Sequence, residues 1–166
     1  MQHIFLTTQI RKMIKEELHY TDTIQYELEQ TAKLMRKLAL QLFEKLNIEL
    51  SVDECAALDI LSCNPNICQR DLSKLILKDR ANTGRIISTL EEKSLIERTI
   101  DLKNNRLVKK LAISKKGKAL LQDITLKIKS YMENVTTTIS HDEIKKVRDI
   151  LKVFRLNMEQ IVEMKI

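Results

Sequence analysis

Cys68-Gln-Arg-Asp-Leu-Ser-Lys-Leu-Ile76 is followed, after a three-residue break, by Arg80-Ala-Asn-Thr-Gly-Arg-Ile-Ile-Ser-Thr-Leu-Glu-Glu-Lys93 and then by two β-like runs around Asp101-Leu-Lys-Asn-Asn-Arg106. This stretch, from Ile67 to Gly117, decides the fold. Leu72, Leu75 and Ile76 recur at helical spacing and predict the buried face of a helix starting near Gln69. Asp79 is placed to cap a second helix, from Arg80 to Lys93, with Ile86, Ile87 and Leu90 as its buried positions. Leu95–Ile100 and Leu107–Ile113 are short, apolar, β-branched runs with a polar tip between them, the pattern of a hairpin. Two short helices and a hairpin make a winged helix-turn-helix. A helix sized for the major groove with a basic loop beside it reads duplex DNA rather than catalysing a reaction.

Outward from this unit the chain is helical. Ser51 and Glu54 form a capping box that opens a helix to Cys63, and Asn64-Pro65-Asn66 ends it. Upstream, Ile24, Leu28, Ala32, Met35, Ala39, Leu42, Phe43 and Leu46 repeat at three and four, which predicts one long amphipathic helix. Residues 4–19 have a partly helical spacing. Downstream, Ser114 caps a helix to Asn134. Ser140 with Glu143 opens a last one, through Ile144, Val147, Ile150, Leu151, Phe154, Met158, Ile161 and Val162. The expected fold is therefore mainly α with a small β wing, a winged helix-turn-helix flanked by long dimerisation helices. Residues 1–50 and 118–166 would form the dimerisation segments, and 51–117 the DNA-binding domain. Long helices with continuous apolar stripes need a partner, either a second copy of the chain or each other in a monomeric bundle.

Charge supports the same division. The 166 residues carry a formal net charge of +6. Between Gln69 and Gly117 stand 13 Lys and Arg against 6 Asp and Glu, so this segment holds +7 and the rest of the chain −1. Excess positive charge confined to the proposed reader is what phosphate neutralisation requires. Two Gly, one Pro and no Trp suit long helices with few tight turns. No apolar run approaches the roughly 20 residues of a membrane span. The start has no signal-peptide pattern, and three Cys give no paired framework, so a cytoplasmic protein with reduced thiols is expected. No Gly-rich phosphate loop or nucleophile elbow is present, and His3, His19 and His141 are scattered, so neither an enzyme nor a metal site or other cofactor is expected.

The order of elements resembles the multiple-antibiotic-resistance regulator (MarR) family of winged-helix transcription factors over roughly Thr23 to Lys165. The carriers are Arg85 in the recognition helix, Leu90-Glu91, Leu95-Ile-Glu-Arg98, the tip Asn104-Asn-Arg106, and Ile113-Ser-Lys-Lys-Gly117. Ser94 stands where the family usually has a turn glycine, and Asn104 replaces its usual wing aspartate. Gly84 lies inside the recognition helix, at a cost of about 1 kcal/mol against Ala; it serves either close approach to DNA or simply a looser helix. The resemblance implies a homodimer whose terminal helices interlock and whose two recognition helices address adjacent major grooves; the leading reading is a dimeric transcription regulator, a repressor, of palindromic DNA.

Arg85 is the expected base reader, through guanine O6 and N7, or else a phosphate contact. Asn82 suits adenine, Thr83 a base edge or phosphate, and Arg80 either. Arg106 at the wing tip suits a narrow minor groove, with Lys103 and Arg70 on the backbone. The family's small aromatic or anionic effectors imply a pocket lined by Tyr26, Lys33, Arg36 and Phe43. Cys68 occupies a helix-capping position beside Arg70. It is either a reactive thiol whose oxidation releases DNA or a small buried apolar residue, with Cys55 and Cys63 in the core. The competing function is an architectural duplex-binding protein with little choice of sequence.

Overall fold

The computed structural model of the chain describes residues 19–103 and 106–162. The N-terminal segment to residue 18, the wing-tip pair Asn104 and Asn105, and the last four residues lie outside the described residues. The elements are a 3-10 turn at Tyr20–Asp22, then α1 (Ile24–Lys45), α2 (Val52–Cys63), α3 (Gln69–Leu75), α4 (Arg80–Glu92), β1 (Ile96–Lys103), β2 (Arg106–Ile113), α5 (Lys115–Val135) and α6 (His141–Ile161). The fold is mainly helical with one small sheet. The chain divides into two compact units, one up to Glu44 and one from Lys45 onward. A single helix, α5, runs through the expected boundary at 117–118.

Local sequence sets the helix starts. Thr23 Oγ1 accepts from the Tyr26 N–H at 3.2 Å ahead of α1. Ser51 and Glu54 cap α2 reciprocally, and Ser140 and Glu143 do the same for α6. Asp79 accepts from the Asn82 N–H at 2.8 Å, and Ser114 accepts from the Gly117 N–H at 3.0 Å. Each cap satisfies a donor that would otherwise have no partner in the helix.

Helix ends are made without glycine. Asn47, Asn66, Leu77 and Ser94 all have left-handed backbone, with φ of 50°, 63°, 52° and 59°. At Ser94 the N–H bonds the Glu91 carbonyl at 2.8 Å and the Leu95 N–H bonds the Leu90 carbonyl at 2.8 Å. Leu77 and Lys78 repeat that arrangement on Lys74 and Ser73, at 3.3 and 3.0 Å. Both are Schellman endings, a motif that favours glycine at the left-handed position. A side chain there costs on the order of 1–2 kcal/mol. The serine in place of the turn glycine is thus held in a strained conformation.

Gly117 answers a different need. A Cβ at this position would overlap the Leu95 carbonyl oxygen. The Ser114 N–H bonds that same carbonyl at 3.0 Å, and the Ser114 hydroxyl donates to the Ser94 carbonyl at 2.8 Å. The first turn of α5 is thereby locked to the turn between α4 and β1.

The core of the second unit is one cluster: Leu50, Ala57, Leu58, Leu61, Leu72, Ile87, Leu90, Leu95, Ile96, Leu111 and Ile124. Burial of each large side chain contributes roughly 1.5–3 kcal/mol. α2 lies at its centre, in contact with α3, α4, α5 and β2. β1 and β2 pair antiparallel from Ile96↔Ile113 to Lys103↔Arg106. A bridge between Ile67 and Leu111 fastens β2 to the segment before α3. Leu75 departs from expectation, being 51% exposed. The arc of α3 that faces the core is centred between Leu72 and Ser73, both buried, and Leu75 lies roughly 110° from that centre at 100° per residue.

Candidate nucleic-acid interface

Thr83, Ile87 and Leu90 form the buried stripe of α4 and anchor it on the core. Arg85 lies about 200° around the helix from Thr83, so it points to solvent, and Ala81 and Ser88 share its exposed side. Arg80 and Asn82 are exposed in the first turn. Four of the expected DNA contacts, Arg80, Asn82, Arg85 and Arg70 at the start of α3, thus have exposed side chains on the helix-turn-helix. Lys103 and Arg106 form the last pair of the β ladder, at the wing tip.

Thr83 is a correction. Its side chain is fully buried, and its hydroxyl donates to the Asp79 carbonyl at 2.7 Å. It packs α4 and cannot reach a base edge from there. The signal was in the sequence, because Thr83 lies four and seven residues before Ile87 and Leu90. Asn82 is committed in part: its Nδ2 donates to Asp79 Oδ2 at 2.6 Å. Two-point contact with adenine would require that bond to be given up. The Asn82 backbone N–H and side-chain amide hold the Asp79 carboxyl below its ordinary value.

Several polar contacts set the position of α4. Gln69 Nε2 donates to the Arg80 carbonyl at 3.0 Å. The Arg98 guanidinium grips the Glu91 carboxylate through both Nε and Nη2, tying the last turn of α4 to β1. Lys93 Nζ donates to the Glu49 carbonyl at 3.0 Å. Gly84 faces Gln69 Nε2, which a Cβ would meet at 3.4 Å. That is ordinary contact, so the glycine is not required by the packing of the protein itself.

Cys68 caps α3, with its Sγ donating to Asp71 Oδ2 at 3.0 Å. This bond holds the Asp71 carboxyl below its ordinary value. The thiol's partner is therefore a carboxylate and not the Arg70 guanidinium, so the activating cation of the redox reading is absent from the bond the thiol makes. Cys55 is half-buried, and burial pushes its thiol up. Cys63 is exposed at the end of α2 and does not join the core.

The four expected effector residues share α1. Lys33 pairs with Glu29 at 2.7 Å, and the Tyr26 ring meets the Tyr20 ring edge-on at 5.6 Å. A cavity of about 540 Å³ lies instead in the second unit, and none of the four lines it. Ile48, Leu50, Leu95, Leu120 and Ile124 supply its apolar wall. Lys93, Lys116 and Lys127 add charge beside Glu49 and Asp123. No helix among the described residues is long and apolar enough to cross a membrane.

A winged helix with a solvent-facing basic recognition helix defines a DNA-binding protein. A model of the MarR family matches residues 50–108, from the start of the core to the middle of the hairpin. Residues 50–108 thus carry a MarR-family domain, that of DNA-binding transcriptional regulators. The solved transcriptional regulator SlyA is 26% identical, with a TM-score of 0.68 over 82% of this chain and 94% of that one. The S. aureus MepR–DNA complex is similar at 18% identity and a TM-score of 0.65, over 87% of this chain and 99% of that one. A Bordetella bronchiseptica structure, BpsR, described in terms of regulation of DNA binding by 6-hydroxynicotinic acid, is similar at 15% identity and a TM-score of 0.69, over 82% and 96%. These last two show shared fold. A search of curated proteins finds no match.

Proposed function

We propose that this chain is a repressor that holds a palindromic operator as a homodimer and releases it when a small ligand binds. The observation that carries the DNA-reading part is the outward face of α4. Arg85 is opposed to the Thr83–Ile87–Leu90 stripe, beside a wing, in the one segment that holds the chain's excess positive charge. A two-fold dimer would present two such helices to two half-sites, which is why the operator would be palindromic. The dimer is supported by α6, which has no buried residue and leaves Val147, Ile150, Val153 and Leu156 more than half exposed. Ligand release is supported by the apolar cavity with its lysines, a volume in the ordinary range of small-molecule sites. Similarity to structures described with DNA and with 6-hydroxynicotinic acid supports both parts.

Selection of duplexes from a random pool, followed by footprinting, tests the reading. One preferred palindrome is expected, and uniform coverage would instead favour an architectural role. Arg85→Ala should weaken the selected duplex by roughly 1–3 kcal/mol and relax base choice. Sedimentation showing only a 19.4 kDa monomer at micromolar concentration would remove the dimer.

A further inference from the structure

Asn82 stands in the first turn of α4, the end of a recognition helix that meets base edges in the major groove. It lies three residues before Arg85, so the two exposed side chains are about 60° apart around the helix and share its solvent side. The Asp79 carboxylate takes two donors from this one residue. Oδ1 accepts from the Asn82 backbone N–H at 2.8 Å, and Oδ2 accepts from its side-chain Nδ2 at 2.6 Å. The two bonds close a ring that fixes the amide against the cap. A carboxylate can only accept, so the amide nitrogen is the atom turned towards Asp79 and the amide oxygen is turned away from it. The same bonds hold the Asp79 carboxyl below its ordinary value, so it stays ionised at neutral pH.

An asparagine with both ends of its amide available pairs with adenine through N6 and N7. With the nitrogen end spent on the cap, Asn82 presents one acceptor, the hydrogen-bonding character of an aspartate without its charge. The major-groove donors that can meet an acceptor are adenine N6 and cytosine N4. They are not equivalent. Adenine carries the N7 acceptor beside N6, and the Asn82 oxygen would lie against its lone pair. Cytosine has a C–H at the neighbouring position. Guanine N7 and O6 and thymine O4 are all acceptors and repel the oxygen outright.

We propose that Asp79 sets base specificity through Asn82: by holding the amide nitrogen it makes Asn82 a one-point acceptor that selects cytosine, rather than adenine, in each half-site. This rests on the reading of the chain as a sequence-specific DNA-binding regulator. Asn82 is the group that meets the base, and Asp79 is a positioning residue that decides which end of the amide is offered.

The test uses the full chain and its selected duplex, varied base by base, with wild type, Asn82→Ala and Asp79→Ser compared. Asn82→Ala marks the position that Asn82 reads, as the one whose base preference it flattens. Wild type should prefer cytosine there by roughly 2- to 10-fold, the worth of one hydrogen bond. Serine caps a helix about as well as aspartate but has no second oxygen for Nδ2. Asp79→Ser should therefore move the preference at that position to adenine. Loss of a negative charge or of helix stability acts on all duplexes alike, whereas a released amide changes base choice. Wild type alone supplies a second readout: 7-deazaadenine, which lacks the N7 acceptor, should bind at least as well as adenine at this position. If Asp79→Ser does not fold, that comparison decides. A wild-type preference for any base but cytosine overturns the proposal, as does weaker binding of 7-deazaadenine than of adenine. So does a folded Asp79→Ser that keeps the wild-type preference, or an Asn82→Ala that leaves every base preference unchanged. Failure of the selection to yield any preferred duplex would instead sink the regulator reading itself.

Discussion

The winged helix and α6 carry the same kind of sequence and meet opposite fates. Both repeat apolar residues at three and four. In the winged helix those residues close on each other, and Leu58, Leu61, Leu72, Ile87 and Leu90 are each 0% exposed. On α6 the stripe from Val147 to Ile161 stays open, and Ile161 is 82% exposed. Periodicity thus states that a face is to be buried, not where. The winged helix contains its own counter-surfaces, because α2 is short and sits among four other elements. The 21-residue α6 has no buried residue, so among the described residues its apolar stripe finds no counter-surface that closes it off.

The largest expected effect separates the two regions directly. Leu58→Ala should destabilise the winged helix by about 2–5 kcal/mol, the usual cost of a buried leucine, at any protein concentration. Leu156→Ala removes the same atoms from a residue 57% exposed. Its effect should appear only as a change in concentration dependence of melting, as expected of a contact between copies. Equal, concentration-independent losses in denaturant titrations of both variants would break the comparison.

Next in size is Gly117→Ala. The added Cβ overlaps the Leu95 carbonyl, a backbone atom that cannot swing aside. A loss of roughly 1–3 kcal/mol or more is expected from overpacking, read as a lowered denaturation midpoint. Gly84→Ala is the contrast within the same unit. With only the Gln69 amide nearby, it should gain about 1 kcal/mol of helix propensity.

Ser94→Gly should stabilise by about 1 kcal/mol, since the left-handed turn would no longer carry a side chain. A midpoint that falls instead would mean that the serine side chain contributes more than its backbone strain costs. The smallest effect is electrostatic. Asp71 and Asp79 have carboxyls held below their ordinary values in the fold. Their contribution is therefore complete above the ordinary carboxylate range near pH 4 and fades as pH falls through the depressed folded values. Asp79→Asn should flatten the acid limb of stability against pH, and unchanged curvature would show that the cap does not titrate.

Much of the fold was legible locally. Ser51, Asp79, Ser114 and Ser140 announce helix starts because a cap needs only one side chain and a backbone donor a few residues on. The hairpin and the outward Arg85 follow from period and spacing alone. Spacing also contained the burial of Thr83, overlooked because its hydroxyl suggested a polar contact, whereas that hydroxyl satisfies the Asp79 carbonyl within its own helix. Packing decided the rest. Leu75 looks like core but is exposed, because α3 turns a different arc to its neighbours. Cys68 lies near Arg70 in sequence, yet the capping geometry gives its thiol to Asp71. The cavity and its lysines draw on residues 47–50, the end of α4 and α5, whose adjacency no local pattern encodes. The elements, their caps and the basic reader depend on neighbours within a turn or two and can be read along the chain. Which lysines meet at the end of the recognition helix depends on how separate helices converge on one core, and that is visible only in the fold.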